Sequence, residues 1–76
     1  MTDGAVHTVH RDGHWFNVIE GQAGVLDGPY EYQKDAVDSG EREAAERHVE
    51  HMIHGLDGQI HQRNYFGDDP LHHARR

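Results

Sequence analysis

The chain has 76 residues, a formal net charge of −7 and no cysteine. This length predicts one domain with a small core, and the missing cysteines exclude disulfide bridges and thiolate metal sites. The acidic balance disfavours nucleic-acid binding driven by phosphate contacts, which needs a positive surface. The first residues lack the pattern of a signal peptide, and no apolar run approaches membrane-spanning length. We therefore expect a cytoplasmic protein that does not bind a membrane.

Residues 5–20 are predicted to form a β-hairpin. Two segments rich in β-branched and aromatic residues flank Asp12–Gly13, a pair that favours a two-residue turn because both central positions need a positive φ. The turn fixes the register, so that Val9 faces Phe16 on one side of the sheet while Trp15 lies on the other. Each side then carries large apolar groups, and we expect both faces of the hairpin to be covered.

A helix is predicted over residues 34 to about 48, where apolar and small side chains recur at three- or four-residue spacing. Its inner face carries the small residues Gly40 and Ala44, which would let the helix lie close to the sheet and leave room for Trp15. The glycine-rich loop before the helix is expected to hold a short third strand, around residues 25–26 or 30–32.

A second hairpin is predicted from strands at residues 51–56 and 59–66, joined by a two-residue turn at Asp57–Gly58. This register places His54 opposite His61 and Ile53 opposite Gln62.

Together these elements predict an α+β fold, with two β-hairpins flanking one α-helix and an antiparallel sheet that carries the helix on one face. The order of the strands is left open. Residues 1–70 are expected to form the domain, and residues 71–76 a flexible tail.

Several fragments, in their order along the chain, resemble the bacterial family known as domain of unknown function 2188. They are DGHWFNVIEG, KDAVDSGEREAA, HMIHGLDGQIHQRN and YFGDDP. The chain departs from the family pattern at three places. Gln33 stands where a threonine is usual, Asn17 where an apolar residue is common, and Tyr65–Phe66 where Ser-Tyr is usual. The resemblance implies one compact domain, and it adds no activity because the family has no established one.

Self-association is the function that we favour from the sequence, because one helix cannot cover both apolar faces of the first hairpin and exposed apolar patches usually mark association sites. We expect a homodimer, with a further protein as partner. The candidate contact residues are Trp15, Phe16, Val18, Tyr65 and Phe66.

Two alternatives remain open. Arg11 and Arg63, with neighbouring histidines and aromatic residues, could contact nucleic acid through a strand face. His54 and His61 could share a metal ion if they meet across the second hairpin. No convincing nucleophile, base and orienting group stand together in the sequence, so we expect neither catalytic residues nor a cofactor, and we predict that the protein is not an enzyme.

Overall fold

The computed structural model describes residues 4–65. They form, in chain order, β1 (Val6–Arg11), β2 (His14–Ile19), β3 (Asp27–Tyr30), α1 (Gln33–Arg47), β4 (Glu50–His54) and β5 (Ile60–Tyr65). The strands make one sheet in the order β3-β2-β1-β4-β5, and α1 packs on one face in contact with β1 to β4. The predicted α+β class, with a helix on one face, is confirmed. The predicted boundary between a domain at 1–70 and a tail at 71–76 lies outside the described residues.

The sheet is mixed, so the prediction of a purely antiparallel sheet is wrong. β1 and β4, at its centre, pair in parallel, with Val6 opposite His51 and Thr8 opposite Ile53. The reason is the number of strands before the helix. Because β1, β2 and β3 pair antiparallel in succession, β3 runs in the same direction as β1. The helix returns the chain across the sheet, and β4 then enters beside β1 in the same direction. Two hairpins are therefore an incomplete description of the fold.

The first hairpin follows its predicted register along its whole length. Val6 faces Ile19, and Val9 faces Phe16. Asp12 has a φ of 53° and Gly13 a φ of 82°, as a two-residue turn with two left-handed central residues requires.

The helix lies within one residue of its predicted position. Its N-cap is Tyr32, which makes no side-chain capping bond, and its C-cap is His48, in the left-handed region with a φ of 58°. The backbone N–H of His48 donates to the carbonyl of Ala45 at 3.3 Å and that of Val49 to the carbonyl of Ala44 at 3.1 Å, and these two bonds end the helix. The third strand, β3, lies between the two positions considered for it. No helix within residues 4–65 has the length and apolar character needed to cross a membrane.

The second hairpin differs from its prediction at the turn. The N–H of Gly58 donates to the carbonyl of Gly55 at 3.0 Å, and the N–H of Gly55 to the carbonyl of Gln59 at 2.9 Å. The loop therefore has three residues and ends on Gly58, whose φ is 83°. The longer loop moves His54 opposite Ile60, and a bulge at His61 restores the predicted pairing of Ile53 with Gln62. The predicted pairing of His54 with His61 is wrong.

A small apolar cluster and a polar layer share the space between helix and sheet. The buried members of the cluster are Val6, Ile19 and Ala44, with Leu26 and Val49 packed alongside. The polar layer consists of the side chains of Thr8, Asn17, Asp27, Ser39 and His51. The side chains of Thr8, Asn17 and His51 are fully buried, so their hydrogen bonds must be satisfied within the protein.

Asn17 organises the polar layer. Its Nδ2 donates to Asp27 Oδ1 at 2.8 Å and to the carbonyl of Ala36 in the helix at 2.9 Å. These two acceptors fix the orientation of the amide, so Oδ1 points to Thr8 and accepts from its hydroxyl at 2.5 Å. Ser39 Oγ donates to the other oxygen of Asp27 at 2.7 Å. Asn17 thus ties β1, β2, β3 and α1 together.

Position 40 carries a glycine because the polar layer leaves no space for a side chain there, and not because Trp15 needs the room. A Cβ at position 40 would lie 2.6 Å from Asn17 Oδ1, 2.7 Å from His51 Nε2 and 3.0 Å from Thr8 Oγ1. All three atoms are held by hydrogen bonds and cannot move apart without breaking one. The helix therefore approaches the sheet most closely over polar atoms.

Replacing Gly40 by alanine should destabilise the protein although alanine favours a helix. The propensity gain is about 1 kcal/mol, whereas overpacking costs about 1–3 kcal/mol and here also strains the polar hydrogen bonds. We expect a lower Tm in thermal unfolding followed by circular dichroism. Glu41→Ala, at the exposed next position of the same helix, controls for propensity alone. A Tm for Gly40→Ala equal to or above that of the parent chain would contradict the close approach of the helix to the polar layer.

Candidate functional site

The side of the sheet that faces away from α1 is the candidate site, and we call it the open face. No helix or strand among the described elements packs on it. Side chains alternate along each strand, so the register defines which ones project there. The side chains on the open face form four rows across the strands. The first row carries Glu20, Glu50 and Tyr65, and the second carries Val18, His7, Met52 and Arg63. The third row carries Phe16, Val9, His54 and Ile60, and the fourth carries His14 and Arg11.

Four apolar side chains on β1, β2 and β4 occupy the two middle rows of the open face, and Ile60 on β5, 43% exposed, adds a fifth. We call Val9, Phe16, Val18 and Met52 the apolar band. The first three are partly exposed, and Met52 is 9% exposed. Single exposed apolar residues are ordinary, but adjacent ones on a face without a covering layer are typical of association sites.

The five residues predicted to make contacts do not share one surface. Phe16, Val18 and Tyr65 lie on the open face, and Tyr65 is 51% exposed. Trp15 lies on the helix side, is 8% exposed, and meets the ring of His10 edge-on at a centroid distance of 4.8 Å. Phe66 lies outside the described residues.

Charge divides the open face into two ends. Glu20 and Glu50 occupy one end, whereas Arg11 and His14 occupy the other. The two arginines considered for nucleic acid, Arg11 and Arg63, do lie on this same face. They share it with the two carboxylates, so the face is not uniformly basic.

Three titratable side chains form a hydrogen-bonded chain on the open face. His7 Nε2 lies 3.2 Å from Glu20 Oε1, and His7 Nδ1 lies 2.9 Å from His54 Nε2. His54 Nδ1 lies 3.2 Å from the carbonyl oxygen of Gly58. The parallel pairing of β1 with β4 brings the two imidazoles together, and their ring centroids are 5.1 Å apart.

The acceptors at both ends of this hydrogen-bonded chain determine which ring nitrogens carry a proton. A carbonyl oxygen only accepts, so His54 carries its proton on Nδ1 and directs the Nε2 lone pair at His7. The carboxylate of Glu20 also accepts, so His7 carries a proton on Nε2. One proton can occupy the gap between His7 Nδ1 and His54 Nε2. Without that proton, two lone pairs face each other across 2.9 Å.

His61 lies elsewhere, because the bulge directs it to the helix side of the sheet. Its Nε2 is 3.0 Å from Asp57 Oδ1. Hydrogen bonds from the N–H of Gln59 and then from His61 hold the pKa of Asp57 below its usual range. This pair borders a surface cavity of about 480 Å³ lined by Trp15, Gln33, Gly55, Leu56, Asp57 and His61.

The structure therefore separates the two histidines that were predicted to share a metal ion. Among residues 4–65, no group of three or more His, Asp or Glu side chains is placed to hold one. His7 and Glu20, the actual neighbours of His54, were not candidates from the sequence. The signal that could have found them is the parallel pairing of β1 with β4, which hairpin patterns do not reveal.

A family model described as "Uncharacterized protein conserved in bacteria (DUF2188)" matches residues 6–66. The chain belongs to this family. The match spans all six elements described above and confirms the resemblance seen in the sequence. No curated protein and no solved structure matches the chain. Because the family is uncharacterised, the function of this member has to be argued from its geometry.

His51 lies directly behind the open face, on the helix side of β4. Thr8 gives its only proton to Asn17, so its oxygen accepts from His51 Nε2–H at 2.7 Å. The buried Nδ1 of His51 has no hydrogen-bond partner within residues 4–65. A second proton there would place an unpaired charge in the core. Burial, and then the charge of His7, lower the pKa of His51.

Acidification should therefore destabilise the protein through His51. In the unfolded chain His51 takes up a proton near the ordinary histidine pKa of 6.5. In the folded chain it takes up that proton only at a lower pH. Unfolding free energy should decrease as the pH falls below about 6.5, by at most about 1.4 kcal/mol per pH unit for this proton, and level off below the folded-state pKa. Urea unfolding at several pH values measures this slope.

The variant His51→Gln should flatten that slope, since glutamine keeps a donor toward Thr8 but does not titrate. His14→Gln, at an exposed position, is the matched control and should retain the parent slope. An unchanged slope in His51→Gln would show that another group controls the acid response.

Proposed function

We propose that this chain is a non-enzymatic, self-associating interaction module of the bacterial cytoplasm, and that its open face binds the open face of a second copy. The observation that carries the proposal is an apolar band that no described helix or strand covers, between an acidic and a basic end. Association would also relieve the marginal stability expected of so short a domain.

Charge complementarity favours a second copy as the occupant. A two-fold axis that lies between the two sheets, perpendicular to the strands, reverses the strand direction of the partner. The acidic end with Glu20 and Glu50 then meets the basic end with Arg11 and His14 of the other copy, twice by symmetry. The apolar bands meet in the middle, in the manner of two sheets packed face to face.

The same distribution of charge argues against nucleic acid as the ligand. A phosphate backbone needs an extended positive surface, and the two carboxylates at one end of the open face would repel it. The helix on the opposite side carries five carboxylates and three basic residues, so no other described element provides a basic stripe.

Among residues 4–65, no serine or threonine hydroxyl is available as a nucleophile, which supports a non-enzymatic role. The serine and threonine residues within 4–65 are Thr8 and Ser39. Both are buried and hydrogen-bonded in the polar layer. The His61–Asp57 pair can exchange protons, but no hydroxyl of these two residues is free to reach it.

Phe16→Glu tests the interface directly, because it places a charge in the apolar band. We expect the parent chain to have the mass of a dimer in size exclusion coupled to light scattering, and Phe16→Glu the mass of a monomer. Ala45→Glu, at an exposed position of the helix, should remain dimeric. Circular dichroism confirms that each variant is folded. A monomeric parent chain at high concentration, or a dimeric Phe16→Glu, would refute the proposal.

Reversing charge at one end tests the orientation of the two copies. Arg11→Glu should weaken the dimer roughly 2- to 30-fold, since each exposed pair contributes about 0.2–1 kcal/mol and occurs twice. Adding Glu50→Arg to this variant should restore part of the affinity. Sedimentation equilibrium measures both dissociation constants. An Arg11→Glu dimer as stable as the parent at low salt would rule out the antiparallel orientation.

A further inference from the structure

The hydrogen-bonded chain on the open face orients its two histidines as the histidine ligands of metal sites are oriented. A histidine that binds a metal usually donates its second ring N–H to a carboxylate or a backbone carbonyl, which fixes the tautomer and aims the free lone pair. His7 has this arrangement through Glu20, and His54 has it through the carbonyl of Gly58. The two remaining nitrogens, His7 Nδ1 and His54 Nε2, point at each other.

We propose that His7 and His54 bind a divalent transition-metal ion between His7 Nδ1 and His54 Nε2. Imidazole nitrogens suit Zn²⁺, Cu²⁺ and Ni²⁺. In this site the ion takes the place of the proton that otherwise joins the two rings. Glu20 is a positioning residue, because it acts on the ion only through the His7 ring.

The distance between His7 Nδ1 and His54 Nε2 is close to that of two nitrogens bound to one metal ion. A zinc–nitrogen bond is about 2.0–2.1 Å, so two nitrogens on one tetrahedral ion are about 3.4 Å apart. The present separation of 2.9 Å needs to widen by roughly half an ångström, which small rotations of the two rings can supply. In the single chain His7 has 17% of its side chain exposed, so water can reach the pair and fill the remaining coordination positions.

The backbone holds His54 in place for this role. His54 is the last residue of β4, next to the bulge, and bulges often re-aim a side chain. Gln33 Nε2 donates to the carbonyl of His54 at 3.2 Å and links this strand end to the start of the helix. The site is thus built from β1, the end of β2, the end of β4 and the turn that follows it.

Neighbouring charges decide how protons compete with the ion. The charged and titratable groups around the pair are Glu20 beyond β2, Glu50 on β4 and Arg63 on β5 on the same face, with His51 on the opposite side of β4. The two carboxylates favour a metal cation at the pair. Binding is therefore best measured at neutral pH, where fewer protons compete.

The test is a Zn²⁺ titration of the ¹⁵N-labelled full chain at neutral pH, followed by the ¹⁵N chemical shifts of the histidine side chains. Zn²⁺ is diamagnetic, so the shifts identify the nitrogens that bind it. We expect saturable changes at His7 Nδ1 and His54 Nε2, with His54 in the Nδ1–H tautomer before zinc is added. Absence of a change at these two nitrogens, or saturable changes only at other histidines, would overturn the proposal without any variant being needed.

Variants define the roles of the three side chains. His54→Gln should abolish the saturable response, whereas the combined control His14→Gln and His61→Gln should retain it. Glu20→Gln should lower zinc affinity roughly 10- to 100-fold, as loss of a group that orients a ligand does, with both nitrogens still responding. Unchanged zinc affinity in Glu20→Gln would exclude its positioning role.

The metal site is built within one chain, but it lies on the face that we propose for self-association, so the two proposals need separate tests. Repeating the titration on Phe16→Glu, which leaves His7, His54 and Glu20 in place, separates the two proposals. The same two nitrogens should respond in that variant whether or not the parent chain is a dimer.

Discussion

The close approach of the helix to the sheet over Asn17 is the constraint on which the rest of the structure depends. Asn17 Nδ2 reaches both Asp27 and the helix carbonyl of Ala36, and its Oδ1 accepts from Thr8. A small domain has little apolar surface to bury, and this one fills the middle of its core with hydrogen bonds instead. Such bonds depend on direction, so they fix where the helix lies more narrowly than apolar packing does. The position of the helix requires a glycine at position 40, because no side chain fits between the helix and these atoms.

Local signals were sufficient to predict the elements. Asp12–Gly13 fixed the first hairpin to the residue, because only one kind of turn accommodates two left-handed residues between strands. In the second hairpin Asp57–Gly58 predicted the strands but not the loop. Asp57 accepts from the N–H of Gln59 at 3.0 Å, and this local bond accompanies a three-residue loop in place of a two-residue one. One additional loop residue was enough to send His54 and His61 to opposite sides of the sheet.

The arrangement of the elements could not be predicted in the same way. The pairing of β1 with β4 joins segments more than 40 residues apart, as the 43-residue separation of Thr8 and His51 shows. No turn connects these strands, so no short sequence pattern encodes their register. Both chemically distinctive features of the molecule, His51 against Thr8 and His7 against His54, lie on this pair of strands. The candidate histidine pair therefore had to be read from the folded chain, whereas the apolar character of Phe16 and Val18 was evident from the sequence.

The parallel pair also has a consequence for how the chain folds. Each hairpin closes a short loop, but joining β1 to β4 closes a loop of more than 40 residues, which costs more chain entropy and slows folding. Side-chain hydrogen bonds cross this junction on both faces of the sheet, through Thr8 and His51 on one and His7 and His54 on the other. These bonds form only once the distant halves have met. The junction is thus the step at which two independently nucleated hairpins become one cooperative unit.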